Sequence, residues 1–506
     1  MPKALPLMIQ GTSSDAGKSA IATAFCRIFA QAGHKTAPFK SQNMALNSYV
    51  TIDGKEIGRA QGVQAEAAGV LATTDMNPIL IKPTRDSESQ IVVNGEPYKN
   101  MKAMAYRKEF FDEGLRIIGE SYSRLADAYE RIVIEGAGSP AEINLNDREL
   151  VNMRVARLTN APVILVADIE RGGVFASLVG TLQLLEPQDR DRVIGVIINR
   201  FRGDVTLLEP GLNWFEEYTG KPVLGVVPFI PDLWIDAEDS LILHRYQGQR
   251  ETPRDIDIAV LRYPRISNFT DVDPFFVEPD CRMRFVTRLE ELGEPDLIIL
   301  PGSKNTLEDL QFLRETGLAD RIQELHREGK TYVIGLCGGY QMLGESIHDP
   351  DGVESPLREL VGLGLIPMVT TMEPRKTTVL SRGTASFAGG QLVLEGYEIH
   401  MGQSVYTEND APFIQLEDRS DGYCAEDRKL IGTYFHGLFH NDDFRTLLLN
   451  AIRTKKGLVP LADRPSFVAL REQGYDLLAD TVRQHVKVEV IEEQMRLYQE
   501  NEVHVR

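Results

Sequence analysis

The chain has 506 residues, with 55 Lys and Arg against 74 Asp and Glu, a formal net charge of −19. That length exceeds one compact core and calls for several domains, while 42% hydrophobic and 25% charged residues exclude extensive disorder. The acidic balance excludes nonspecific nucleic-acid binding, and no apolar run is long enough for membrane insertion.

Through residue 230, short Val- and Ile-rich runs alternate with helical stretches. Leu5–Ile9, Ile132–Ile134, Val163–Ala167 and Val193–Ile198 predict strands buried on both faces, as in a parallel sheet covered by helices. No sustained apolar region precedes the first polar loop, so no signal peptide is expected. Leu5–Ile9 leads into GTSSDAGKS (11–19), and a helix is predicted over Lys18–Ala32, stopped by Gly33. Strand, polar loop and helix in this order make a phosphate site. Loop N–H groups and the helix end surround the anion, Lys18 adds a point charge, and the Ser19 hydroxyl ligates Mg²⁺. Thr12 stands where the strict template has its first glycine, which here falls one position earlier at Gly11. Thr12, Gly17, Lys18 and Ser19 are thus the expected nucleotide-binding residues. Glu135 follows Ile132–Ile134 and is the expected second Mg²⁺ ligand. Asp168 and Asn199 close the next two strands.

The polar loop Lys40–Ser48 (KSQNMALNS) suits a substrate mouth, with Lys40, Asn43 and Asn47 as contacts alongside Lys82. Lys40, Lys82, Arg85, Arg171, Arg200 and Arg202 are expected near the nucleotide, where they would supply a positive field that the net charge denies. Residues 231–254 lose the α/β rhythm and read as a linker.

A second rhythm begins near Asp257, with strands at Ile258–Leu261, Leu297–Leu300 and Tyr332–Leu336 and a helix at Ala319–Gly329. The strand Tyr332–Leu336 runs into Cys337-Gly338-Gly339. Small residues on both sides of a cysteine at a strand-to-helix turn expose the thiol near helix-end amides that favour the thiolate. The other cysteines, Cys26, Cys281 and Cys424, stand far apart with no CxxC pair, which fits a reducing cytoplasm rather than a disulfide framework. His436, in GTYFHGLF, is the expected base, with His400 and His440 as lesser rivals. The turn after Leu297–Leu300, PGSKNT, brings Gly302 to join Gly338 in an expected oxyanion hole. GQLVLEGYEIHMG and IGTYFHGLF are expected as sheet edges, a helix follows near Asp442–Arg453, and the amphipathic Val490–Gln499 should pack on a neighbour.

The phosphate loop resembles the dethiobiotin-synthetase-like branch of P-loop enzymes, which phosphorylate a carboxylate or carbamate; in that branch an Asn placed like Asn199 reads the adenine edge. The Cys337 turn, the later His and the PGS loop resemble a class I glutamine amidotransferase domain. Its usual triad has a Glu two residues after the His, where this chain has Leu438, so the resemblance leaves the orienter of His436 open. Over residues 5–450 the motifs NMALNS, NPILIKP, EGAGSPAEINL, ADIERGGVFAS, NRFRGD, PGSKNT, GLCGGYQMLG and EGYEIHMG together resemble the cobyrinate amidase family. That resemblance implies a P-loop amidoligase domain over 1–230, a linker over 231–254, a glutamine amidotransferase domain over 255–455 and a helical tail over 456–506. It implies ATP and Mg²⁺ as cofactors, and L-glutamine and a corrinoid polycarboxylate as partners. Ammonia freed from glutamine would amidate carboxylates b, d, e and g of adenosylcobyrinic acid a,c-diamide through an acyl phosphate. The alternatives are amidation of the a and c carboxylates and a non-enzymatic P-loop ATPase with a degenerate glutaminase half. Monomer and homo-oligomer both stay open.

Overall fold

The structure is a computed structural model and describes residues 4–85, 88–231, 233, 254–408, 412–425, 427 and 429–503. Two sheets organise it. In the N-terminal half the strands stand in the order Val223–Pro228, Val193–Phe201, Val163–Asp168, Leu5–Gly11, Arg131–Glu135, Thr36–Phe39, all parallel. The four expected runs are all present, extended by a few residues. Their Val and Ile side chains are buried because helices cover both faces. Parallel strands open their following loops at one edge, so the phosphate loop, Glu135, Asp168 and Asn199 gather there. The register sets Ile9 beside Glu135 and Asp168 beside Asn199. A four-stranded sheet (Gln42–Met44, Ile79–Arg85, Glu88–Val93, Glu96–Lys102) is an addition that the sequence reading did not anticipate.

In the C-terminal half the order is Cys281–Val286, Ile256–Leu261, Leu297–Leu300, Tyr332–Leu336, Leu430–Thr433, Tyr423–Cys424, parallel except for the last pair. The helix expected over 319–329 runs from Leu318 to Arg327. GQLVLEGYEIHMG is not a sheet edge. Its strand, Gly390–Tyr406, pairs with Met368–Phe387 on one side and with Phe435–His436 on the other. Leu430–Thr433 is interior too, between Tyr332–Leu336 and Tyr423–Cys424; of the two segments only Phe435–His436 forms an edge, in a separate seven-stranded sheet beside Gly390–Tyr406. Both segments carry alternating apolar residues that a sheet interior buries, a pattern that also fits a half-exposed edge.

After the helix Asp442–Lys455, the chain returns to the N-terminal half as two helices, Phe467–His485 and Val488–Val503. Leu478, Val482, Ile491 and Met495 are buried with Ile21, Phe25 and Ile28 of the helix Lys18–Gln31. Arg27 clamps Asp476 at 2.8 Å and Glu472 at 3.1 Å. The neighbour of Val490–Gln499 is therefore this same chain. Of the segment read as a linker, residues 231, 233 and 254 are described and the rest lie outside the described residues. No described helix is long and apolar enough to cross a membrane.

Candidate active sites

The phosphate loop turns on Gly17. Its φ of 97° is left-handed, and a Cβ there would meet Asn199 Nδ2 at 2.0 Å, so no other residue fits. Asn199 Nδ2 donates to the Ala16 carbonyl at 3.2 Å, bracing the loop from the neighbouring strand. Gly11 explains the displaced glycine of the motif: a Cβ there would press on Lys18 Cγ at 3.0 Å, where the lysine folds back to donate to the Ser13 and Gly138 carbonyls. Thr12 departs from expectation. The first strand continues to Gly11, so the Thr12 N–H is committed to the Val166 carbonyl at 3.0 Å, and the residue does not line the cavity.

Ser19 Oγ donates to Glu135 Oε1 at 2.9 Å, Lys40 Nζ does the same at 2.9 Å, and Gln64 Nε2 holds Glu135 Oε2 at 2.5 Å. A hydroxyl and a carboxylate so close are two hard oxygen donors of the kind Mg²⁺ takes when phosphates and waters complete its shell. Among the described residues no cluster of three or more His, Cys, Asp and Glu could hold a metal by itself. Ser19, Lys40 and Glu135 line a cavity of about 1130 Å³, shared by Lys18, Asn43 and Asn199 and reached by Leu478 of the tail.

The expected cations distribute differently. Arg200 lines this cavity but pairs with Asp168 at 2.7 Å, Arg171 pairs with Asp15 at 3.2 Å, and Arg202 pairs with Glu170 at 2.8 Å. The field they supply is therefore largely neutralised by local carboxylates. The Arg85 side chain lies outside the described residues. Asn43 is at the cavity, bonded to Gln61, while Asn47 is buried and lines neither this cavity nor the one beside Cys337. Lys82 is not at the nucleotide. Strand alternation turns it away, into a buried cluster next to Cys337.

In the C-terminal half, three neighbouring parallel strands end together, delivering the Gly302–Ser303 turn, Cys337 and His436. Cys337 has φ 51° and ψ −109°, a strained turn costing about 1–3 kcal/mol and held by the Cys337 N–H on Thr433 O and the Gln341 N–H on Cys337 O. Gly338 and Gly302 are glycines for want of space. A Cβ on Gly338 would meet the Ser303 amide nitrogen at 2.8 Å, and one on Gly302 would meet the Ser267 carbonyl at 2.9 Å and His436 Cε1 at 3.3 Å.

His436 is fully buried and interacts with the Cys337 thiol. Its Nδ1 lies 2.7 Å from Asp271 Oδ2, and Asp271 Oδ1 accepts the Gly437 N–H at 2.8 Å, so one carboxylate fixes both the ring and its backbone. Burial opposes the imidazolium, but the Asp271 charge and the thiol more than offset it and hold His436 up at about 10. Burial likewise opposes the Asp271 carboxylate, and His436 more than offsets that, keeping it below its usual range. Asp271 is the orienter that Leu438 does not supply. It lies in the 3₁₀ segment Phe269–Phe276, upstream of the cysteine, where the sequence NFTDVDPFF offers two acids and no signal that picks Asp271 over Asp273. Of the rival histidines, His400 lines the cavity, stacked on Tyr434 and bonded to the Gly402 carbonyl, and His440 contacts the Thr270 carbonyl.

Residues 7–242 match the CobQ/CobB/MinD/ParA nucleotide binding domain, and residues 257–444 match the CobB/CobQ-like glutamine amidotransferase domain. A cobyric acid synthase of Geobacillus sp. (strain WCH70) is 65% identical over 503 residues, covering 99% of this chain and 100% of that one. One of Anoxybacillus flavithermus is 64% identical over 504 residues, covering 100% of both. The chain belongs to the cobyric acid synthase family. It is a glutamine-dependent ligase, and its activity is glutamine-dependent amidation in cobalamin biosynthesis with use of ATP.

In this cobyric acid synthase family chain the two sites are joined by one segment. Lys40, at its start, holds Glu135 of the phosphate site. Ser48, at its end, donates its N–H to Asn268 Oδ1 at 2.9 Å, and Asn268 Nδ2 lies 3.3 Å from His436 Nε2. Ser48 Oγ also donates to Glu56 Oε1, which accepts from Lys82 at 2.5 Å, while Lys376 of the C-terminal half holds Glu56 Oε2. Burial would raise the Glu56 carboxyl, but Lys376 and Lys82 more than offset it and hold it well below the usual carboxylate range. Ser48, Glu56 and Asn268 went unmarked as site residues in the sequence, because each matters only across the contact between halves.

Proposed function

We propose that the chain converts adenosylcobyrinic acid a,c-diamide to adenosylcobyric acid, amidating carboxylates b, d, e and g with ATP and with ammonia freed from glutamine at Cys337. The observation that carries this is Cys337 in a strained turn beside His436, itself oriented by Asp271, on the same chain as a complete phosphate loop.

The Cys337 thiolate attacks the amide carbon of glutamine, and the tetrahedral oxyanion meets the Gly338 N–H and the Gly302–Ser303 turn, each donor worth typically ~3 kcal/mol. His436, protonated well above neutrality, gives its proton to the departing nitrogen. Ammonia leaves, a thioester remains on Cys337, and water deprotonated by His436 cleaves it to glutamate. At the other site a substrate carboxylate oxygen takes the γ-phosphoryl group of ATP, releasing ADP, and ammonia then displaces phosphate to form the amide. Lys18, Ser19 and Gly17 hold the phosphates, with Asn199 bracing the loop. Ser19 and Glu135 would hold Mg²⁺, which would supply charge neutralisation on those phosphates. Lys40 and Asn43 contact the substrate at the mouth of the large cavity. Consumption of ATP and glutamine supports a cytoplasmic setting for the reaction.

The test is incubation with ATP, Mg²⁺, the diamide and either glutamine or ammonium, followed by product mass. Four stepwise replacements of hydroxyl by amino, with regiochemistry by NMR, support the reading; amidation at a and c refutes it. Cys337→Ala should abolish glutamine-dependent turnover and keep ammonia-dependent turnover, and loss of both would contradict two separate sites.

A further inference from the structure

The cavity beside Cys337 contains two buried charges that the chemistry above does not use. Lys304 and Glu354 are each 9% exposed, and both line it. The other lysines of this cavity, Lys82 and Lys376, both pair with Glu56. Lys304 forms no ion pair among the described residues, although Glu354 stands on the same wall. Glu354 Oε2 accepts the Thr306 N–H at 3.0 Å, only two residues along the chain from Lys304. A buried ammonium and a buried carboxylate so near would ordinarily pair directly; held apart, they attract each other without a salt bridge, and the desolvation cost of each is only partly offset. Burial pushes the Lys304 ammonium down and the Glu354 carboxyl up, and their mutual attraction offsets this only in part.

We propose that Lys304 binds the α-carboxylate of glutamine and Glu354 its α-ammonium, so that the zwitterionic head bridges the two and the side-chain amide extends to Cys337. This rests on the reading of Cys337 as the glutaminase nucleophile. The PGSKNT turn then has two duties in one stretch: its glycine faces the oxyanion and its lysine faces the head group. The cavity has a volume of about 30 Å³, less than an amino acid needs, so glutamine enters by moving the flexible Lys304 and Met401 ends that line it. Recognition of both charges separates glutamine from other primary amides and, through the length of the spacer, from asparagine.

The experiment measures ammonia release by the full-length enzyme from glutamine, from 4-aminobutanamide, which lacks the carboxylate, and from glutaramate, which lacks the amino group. The wild type should favour glutamine over both truncated amides by about 100-fold in kcat/KM, the scale of a lost buried charge partner. Lys304→Met should raise the glutamine KM by a similar factor while leaving kcat/KM for 4-aminobutanamide within about twofold, since that amide has no carboxylate to lose. Glu354→Gln should give the mirror pattern with glutaramate, and Lys304→Arg should restore part of the loss. Equal losses on glutamine and the truncated amide would overturn the assignment, as would a wild type indifferent to truncation. Ammonia-dependent amidation reports folding; where a variant loses it, the wild-type comparison decides. A wild type that frees no ammonia from glutamine sinks the glutaminase reading itself, a distinct result.

Discussion

Asp271 and His436 make the most exposed claim about a single pair of residues. A carboxylate that orients the imidazole and stabilises its charge makes Asp271→Asn a loss of up to about 10⁴-fold in glutamine-dependent kcat, with ammonia-dependent turnover retained. The pair also has a stability signature. His436 is raised from 6.5 to about 10, so between those values the folded protein keeps a proton that the unfolded chain has lost. Its contribution is fully present below pH 6.5 and is lost as pH rises through about 10. Urea unfolding of the wild type should therefore show stability falling across that window, and Asp271→Asn should flatten the fall. A wild-type profile already flat there would contradict the buried imidazolium.

Among the elements, the tail helices change most from what sequence suggested. Residues 456–506 carry no motif, yet Ile491, Leu478 and Val482 close the apolar face of the phosphate-loop helix. Ile491→Ala should cost about 2–5 kcal/mol in urea unfolding and lower ammonia-dependent activity at raised temperature, although Ile491 does not line the large cavity. The contrast shows what a sequence carries. The parallel strands were readable because continuous Val and Ile runs have few other homes, and Gly17, Lys18 and Cys337 because their chemistry demands neighbours at fixed spacing. Asp271 was not readable, since its partner lies 165 residues away and only the fold brings them together. Thr12 misled because the motif cannot tell where the strand stops and the loop begins. Lys82 misled because alternation on a strand that periodicity had not identified decided which half it faces.

Over the whole molecule, the two halves meet through buried charge rather than a purely apolar face. Glu56 pairs with Lys82 from its own half and with Lys376 from the other, and Ser48 ties that cluster to Asn268 beside His436. Glu56→Ala would leave two buried ammonium groups without a counter-charge, so it should destabilise by about 3–5 kcal/mol, read as a lower urea midpoint. Unchanged stability would mean that water already reaches the cluster. The two-site reading calls for freed ammonia to reach the acyl phosphate sheltered from bulk water, where it would be protonated and lose its nucleophilicity. The decisive measurement follows nitrogen: glutamine isotopically labelled in its amide is supplied with ATP, the diamide and excess unlabelled ammonium, and the product is weighed. Wild type should place the label in the new amides with little dilution, and Cys337→Ala should place none. Labelled product from Cys337→Ala, or unlabelled product from the wild type, would contradict the account.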